Sequence, residues 1–273
     1  MHKAVITAAG LGTRLLSVTK ELPKEMLPLF SMENGLLTVK PLLQLVFEQL
    51  YAVGIRDFCF VIGRGKRAIE DHFTKDNRFL QELRSRGKMR EADSLERFYS
   101  LLSDSNITWV NQAEPRGFGD AVLMAKSFVS DSKFIVAAGD TYIASDGNSH
   151  LKELINSNAD ATLILRKVKD PSSYGVAIVD KKQVKKVVEK PSQPISRLAI
   201  MPFYSFTPEI FEHLKGLKAG RDNEVQLTDA IESMIESGRA VSYVLLKNAV
   251  WMDIGNPMSY WKALRDSYRI TML

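Results

Sequence analysis

The chain has 273 residues, 45% hydrophobic and 25% charged, an ordinary composition for a globular protein with a substantial core. Lys and Arg number 37 against 32 Asp and Glu, a formal charge of +5 that suits small anionic substrates, nucleic acid or membrane surfaces. Those basic residues are scattered. The local run Arg84 to Arg90 reads as a solvated helix face, and no nucleic-acid-binding motif accompanies it. No uncharged stretch approaches the roughly 20 residues of a membrane helix, and the apolar run Ala4 to Ala9 is too short for a signal segment. The expectation is a cytoplasmic enzyme that engages neither membrane nor nucleic acid.

In chain order, Lys3 to Ala8 reads as a buried strand ended by Gly10 and Gly12. Pro41 to Ala52 has apolar residues at helical spacing, with Gly54 as C-cap. Asp57 to Ile62 is a second strand. Strand, helix, strand predicts a parallel pair with a right-handed crossover. Residues Ala68 to Leu102 are charged, amphipathic and helical, broken near Gly87. Strand Ile107 to Asn111, helix Gly119 to Val129 and strand Phe134 to Ala138 continue the alternation. The pattern is that of a Rossmann-like, doubly wound α/β sheet, predominantly parallel.

Past Asp140 the strands come closer together: Ala161 to Lys167, Val176 to Asp180, Val184 to Glu189, Leu198 to Phe206 and Val241 to Leu246. Helices are expected at Gln226 to Glu236 and from Pro257 to about Arg269. No linker or internal repeat divides the chain. It reads as one domain over residues 1–273, with a nucleotide-binding half (1–140) and a substrate-binding half (141–273) added to the same, mixed sheet. The single cysteine, Cys59, lies in the apolar run Phe58 to Ile62 and reads as a small buried hydrophobe. The four histidines (His2, His72, His150, His213) show no metal-ligand spacing.

The loop Ala8-Ala-Gly-Leu-Gly-Thr-Arg-Leu15 lies where α/β sheets bind ligands, beyond the carboxyl end of the first strand. Gly10 and Gly12 would let backbone N–H groups approach phosphate oxygens, and Arg14, Lys20 and Lys24 make an anion site close in sequence. The third glycine of a dinucleotide fingerprint is missing, and no Walker A loop occurs anywhere in the chain. A tight turn with solvated charges is the plainer alternative. Followed by Pro23-Lys-Glu-Met-Leu-Pro28, however, the loop resembles the signature of the sugar nucleotidyltransferases, in particular the bacterial-type UTP–glucose-1-phosphate uridylyltransferases.

The resemblance extends from Val5 to about Leu264, with every motif in order. It implies that Ala9, Gly10, Gly12 and Thr13 hold the nucleotide triphosphate while Arg14 and Lys24 stabilise departing pyrophosphate. Gln112-Ala-Glu-Pro-Arg-Gly-Phe-Gly-Asp-Ala-Val122 is similar to the family's base-binding stretch, which implies base contacts from Gln112 and Gly117. Where the family often carries His or Gln, this chain has Asp120. Gln112 can hydrogen-bond a base edge in both directions, and Gly117 and Gly119 would keep a ligand's approach open. Asp140, in Ala138-Gly-Asp-Thr141, and Asp253, in Trp251-Met-Asp-Ile-Gly-Asn-Pro257, match the family's metal-binding aspartates and imply Mg²⁺ as cofactor. Tyr174-Gly175 and Val188-Glu-Lys-Pro191 imply a sugar site, with Gly175 and Glu189 on the sugar and Lys190 on its phosphate. Asn223-Glu-Val-Gln-Leu-Thr-Asp-Ala-Ile231 resembles the uridylyltransferases' late motif; Glu224 and Asp229 either line the sugar pocket or serve structure. Arg197, where those enzymes often carry Asn, either favours a charged sugar or points into solvent.

The implied reaction is an Mg²⁺-dependent in-line attack of a sugar-1-phosphate oxygen on the α-phosphorus of UTP, giving UDP-glucose and pyrophosphate. A phosphate anion needs no nucleophilic side chain, and the chain offers cations and carboxylates rather than a Ser/His/Asp or Cys/His set. The alternatives are a thymidylyltransferase using dTTP, a nicotinamide-linked oxidoreductase and a catalytically silent sugar-nucleotide sensor. The family implies a homodimer or homotetramer.

Overall fold

A computed structural model describes residues 2–193, 195–220 and 223–272. Among the described residues thirteen strands form: β1 (Lys3–Ala8), β2 (Pro28–Glu33), β3 (Leu36–Pro41), β4 (Asp57–Gly63), β5 (Asn106–Gln112), β6 (Phe134–Ala138), β7 (Thr141–Ala144), β8 (Ala161–Lys167), β9 (Val176–Asp180), β10 (Gln183–Val188), β11 (Leu198–Phe206), β12 (Val241–Leu245) and β13 (Val250–Asp253). Nine of them make one sheet in the order β5-β4-β1-β6-β11-β8-β12-β10-β9. The first four in that order are parallel, and β11 enters antiparallel between β6 and β8, so the sheet is mixed.

Alternation along the parallel strands divides the core into two layers. Ala4, Ile6 and Ala8 of β1, with Phe58, Phe60 and Ile62 of β4, face one layer; Val5, Cys59 and Val61 face the other. The first layer includes Phe47, Phe73 and Phe98 beneath the helices Leu42–Ala52 and Met89–Ser103. Cys59 is fully buried, and burial pushes its thiol pKa up to about 12, so it is the inert hydrophobe its setting suggests.

Several elements differ from the sequence-based expectation. The region 68–102 forms three helices, Arg67–His72, Asn77–Ser85 and Met89–Ser103, rather than a helix with one break. The extra start comes from Asp76, whose Oδ1 accepts from the Phe79 N–H at 2.9 Å. Arg84 and Arg86 pair with Glu96 and Glu82 on an exposed surface, the solvated helix face expected there. The helix expected from Gly119 to Val129 divides at Ala125 into Phe118–Met124 and Lys126–Val129. The β2–β3 hairpin was not foreseen, although Asn34-Gly35 between two apolar runs is its signal. Both residues sit at positive φ, 50° and 75°, as a two-residue turn matching strand twist requires. Strands β7 and β13, also unforeseen, pair with each other outside the main sheet.

Candidate active site

The parallel strands end at a cavity of about 350 Å³. Ala9, Gly10, Gly12, Thr13, Gln112 and Gly117, the residues expected to bind nucleotide, all line it, together with Arg14, Lys24 and Asp140. The loop's form follows from its glycines. Gly12 lies at φ +68°, and its carbonyl accepts from Thr19 Oγ1 at 2.8 Å. A Cβ at Gly10 would meet Lys24 Nζ at 3.5 Å, an ordinary van der Waals contact, so the Lys24 ammonium lies directly against this part of the loop.

Lys24 is paired with Asp140, both partly buried. Burial alone would lower the Lys24 pKa, but Asp140, helped by Glu25, outweighs it and holds the ammonium above its usual range. Burial likewise opposes the charged form of Asp140, and Lys24 overcomes it, so this carboxyl sits below the usual range. Strand β13 brings in the second aspartate: Asp253 lies opposite Thr141 in the β7–β13 ladder, and Ile254 N–H donates to the Asp140 carbonyl at 3.0 Å. Burial, then the Asp140 charge, raises the Asp253 pKa. Two neighbouring, partly buried carboxylates that repel one another make a set of hard oxygen donors, which fits Mg²⁺ completed by phosphate oxygens. Among the described residues no larger cluster of His, Cys, Asp and Glu could hold a metal. Asn256 then caps the helix Pro257–Thr271 through a reciprocal bond with Ser259, fixing the chain just after Asp253.

The two later motifs clamp each other. Gly119 N–H donates to Val225 O at 2.9 Å, and Val225 N–H donates to Arg116 O at 2.7 Å. A Cβ on Gly117 would meet Glu224 Cβ and the Val225 backbone at 2.8 Å, and one on Gly119 would meet Val225 O at 2.8 Å. These glycines were expected to leave room for a ligand. Their close neighbour is instead the chain itself, although Gly117 also lines the cavity. Asp120 is buried and accepts from Gln112 Nε2 at 2.7 Å and from Arg116 at 2.6 Å. Gln112 therefore does not offer both halves of its amide to a ligand, contrary to the sequence reading.

A second, larger cavity of about 980 Å³ adjoins the first, and the two share Arg14, Phe118, Asp140, Glu224 and Gly255. Gly175, Glu189 and Lys190 line it, as does Asp253. Thr228 Oγ1 donates to Glu189 at 2.6 Å, and a Cβ on Gly175 would lie 2.9 Å from that carboxylate. A side chain at position 175 would therefore displace the Glu189 carboxylate from its place beside Thr228. Lys190 has φ +37°, and its N–H donates to the Tyr174 carbonyl at 3.1 Å, turning its side chain out of the strand line. Trp251, with Tyr174 edge-on at 5.5 Å and the Arg166 guanidinium 5.7 Å over its ring, forms an aromatic wall. Arg197 and Asp229 are exposed and line neither cavity.

Sequence reasoning missed Glu25 and Lys66. They form a buried ion pair of 2.8 Å, with Glu25 1% and Lys66 8% exposed, beneath the short 3₁₀ turn that carries Lys24. Nothing in the separate segments around positions 25 and 66 signals that they meet.

The model of the nucleotidyl transferase family matches residues 3–269. The chain belongs to this family. It is 36% identical, over 97% of its length and 93% of the relative's, to a UTP–glucose-1-phosphate uridylyltransferase of Staphylococcus epidermidis. A protein of the same name from Bacillus subtilis is 35% identical, over 89% and 83% of the two chains. The fold is similar to an apo UDP-glucose pyrophosphorylase (TM-score 0.87, 28% identity, 99% of each chain). It is also similar to a UTP-bound enzyme of that type from Acinetobacter baumannii (TM-score 0.82, 26% identity, 97% and 93% of the chains). The likeness covers nearly the whole chain and so confirms the α/β fold class expected of the family.

Proposed function

We propose that this protein transfers the uridylyl group of UTP to glucose-1-phosphate, releasing pyrophosphate and UDP-glucose. The observation that carries the reading is the junction of the two cavities. A nucleotide in the first and a sugar phosphate in the second would meet at the residues they share, Arg14 and Asp140 among them. The names of the curated relatives supply the substrate pair.

On this reading the loop Ala9 to Thr13, with Gln112 and Gly117, holds UTP. An oxygen of the sugar phosphate attacks the α-phosphorus; the new P–O bond forms as the bond to the β-phosphate oxygen breaks, and the electron pair leaves on pyrophosphate. Arg14 and Lys24 neutralise that leaving charge, and Lys190 aligns the attacking phosphate. Glu189, oriented by Thr228, and Gly175 take the sugar. Asp140 and Asp253 would hold Mg²⁺, which when bound shields the phosphate charges from one another. Lys24 pairs with Asp140 and so keeps that carboxylate ionised.

The reading treats residues 1–140 as the nucleotide half and 141–273 as the sugar half of a single domain, supported by the division of lining residues between the cavities. A cytoplasmic location goes with freely dissolved, charged substrates. A homodimer or homotetramer is supported by the exposed apolar side chains Leu36, Val39, Met258 and Trp261, and sedimentation would measure it.

Pyrophosphate release from purified protein with Mg²⁺, over UTP, dTTP, ATP, GTP and CTP crossed with several sugar-1-phosphates, tests the function. Fastest release with UTP and glucose-1-phosphate is expected. Preference for dTTP would transfer the reading to a thymidylyltransferase. Tight nucleotide binding with no release from any pair would replace it with a sensor.

A further inference from the structure

Gln112, a residue only 4% exposed, ends β5, so its amide has little freedom to choose partners. Its Nε2 group donates to Asp120 Oδ2 at 2.7 Å and faces the Gly117 carbonyl at 3.2 Å. Both protons of the amide are spent. Asp120, 3% exposed, is itself held from the other side, where Arg116 donates to Oδ1 at 2.6 Å. Turning the Gln112 amide over would set its oxygen against a carboxylate and a backbone carbonyl, neither of which can donate. The orientation is therefore imposed, and it leaves Oε1 as the group Gln112 has to offer. Among the described residues Oε1 receives no hydrogen bond, while Gln112 lines the first cavity.

We infer that Asp120 is a specificity-determining positioning residue: by locking the Gln112 amide with its oxygen toward the ligand, it selects a pyrimidine that carries a proton on N3. The inference rests on the nucleotide reading of the first cavity given above. Uracil and thymine both present an N3–H flanked by carbonyls, and this proton meets the Gln112 acceptor. Cytosine presents a lone pair at N3, which would face the Gln112 oxygen acceptor to acceptor. A buried polar pair of that kind costs a ligand more than the absence of a bond would, since neither atom recovers its lost water. The contact separates uracil and thymine from cytosine but does not separate uracil from thymine, because both carry the same N3–H.

Asp120→Asn tests this. An asparagine can donate toward Gln112 where a carboxylate cannot, which leaves only the longer contact to the Gly117 carbonyl, 3.2 Å, against a turned amide that offers its NH₂ to the cytosine lone pair. With the wild type we expect UTP to exceed CTP in kcat/KM, and Asp120→Asn to lower that ratio by about tenfold or more. Equilibrium binding of UTP and CTP by calorimetry should change in the same direction. Arg116→Ala is the companion variant. The Arg116 side chain is 59% exposed, so its loss leaves the core closed, yet it frees one side of Asp120. It should lower the ratio by a smaller factor, and it serves if Asp120→Asn does not fold.

A merely structural Asp120 would weaken UTP and CTP alike and leave their ratio where it was; that result overturns the inference. So would a wild type that binds CTP as tightly as UTP. A wild type that binds neither nucleotide would refute the nucleotide site itself, and this inference with it. The wild-type measurement thus reports on the parent reading, and the change of ratio in the variants reports on Asp120.

Discussion

Replacing Lys66 by Met would remove one half of the buried pair beneath the Lys24 turn. Glu25 is 1% exposed, and burial raises its pKa against the pull of Lys66 and Lys24. Without Lys66 that burial cost is less compensated. Breaking a buried ion pair by deleting one partner typically costs 3–5 kcal/mol, about 6–20 °C in Tm for a chain of this size. The sign with pH follows from the raised acid. Glu25 favours the fold below its unfolded pKa, where it is protonated in both states, and that advantage is lost as pH rises through its folded pKa. The penalty in Lys66→Met should therefore be full at neutral pH and shrink as the solution is made mildly acidic. The double variant Lys66→Met, Glu25→Gln removes the stranded charge and should recover part of the loss, because the cost lies in the unpaired carboxylate rather than in the missing attraction. Denaturant unfolding of the wild type, both single variants and the double variant, at neutral and acidic pH, measures all of this. A loss below about 1 kcal/mol, or a double variant less stable than Lys66→Met, would refute the reasoning.

Further outcomes are expected. Arg14→Ala, Asp140→Ala and Lys190→Ala should each lower turnover in the pyrophosphate assay by roughly 10²–10³-fold, as lost electrostatic groups do in other enzymes. Near wild-type rates in all three would displace the site. Gly117→Ala should cost about 1–3 kcal/mol and weaken UTP binding, because residue 117 is held at φ +109° and the new Cβ would lie 2.8 Å from the Val225 backbone. Thermal unfolding and UTP calorimetry would read the two effects separately. His150 is 2% exposed, edge-on to Phe203 and bonded to Ser145 Oγ at 2.7 Å, and burial lowers its pKa to about 4. A depressed pKa contributes stability that is present above the usual histidine value of 6.5 and is lost as pH falls toward about 4, at most about 3 kcal/mol. His72, also lowered to about 4, adds to this slope, so His150→Gln should flatten part of the stability loss between pH 6.5 and 4 in urea titrations.

The strands β1 and β6 coincide with their expected bounds, because short apolar runs closed by glycine or a loop carry their own period and punctuation. The cavity-lining loop was also legible: glycines that must approach another group, and cations spaced around them, are local requirements that any single stretch displays. Ordered motifs placed Asp140 and Asp253 as a pair, although 113 residues separate them in sequence. How they are joined was not legible. That depends on β7 and β13, four-residue strands whose partner is each other and not the main sheet, and neither carries enough pattern to be seen alone. Sequence also showed that residue 120 departs from the family, but could not show that its carboxylate turns inward to Gln112. The Lys66–Glu25 pair was beyond reach for the same reason. A motif records what a segment needs from its own backbone. Which charge ends up beneath it, and which end of an amide is left facing the cavity, is decided when distant segments exclude water from between them, and only the packed structure does that.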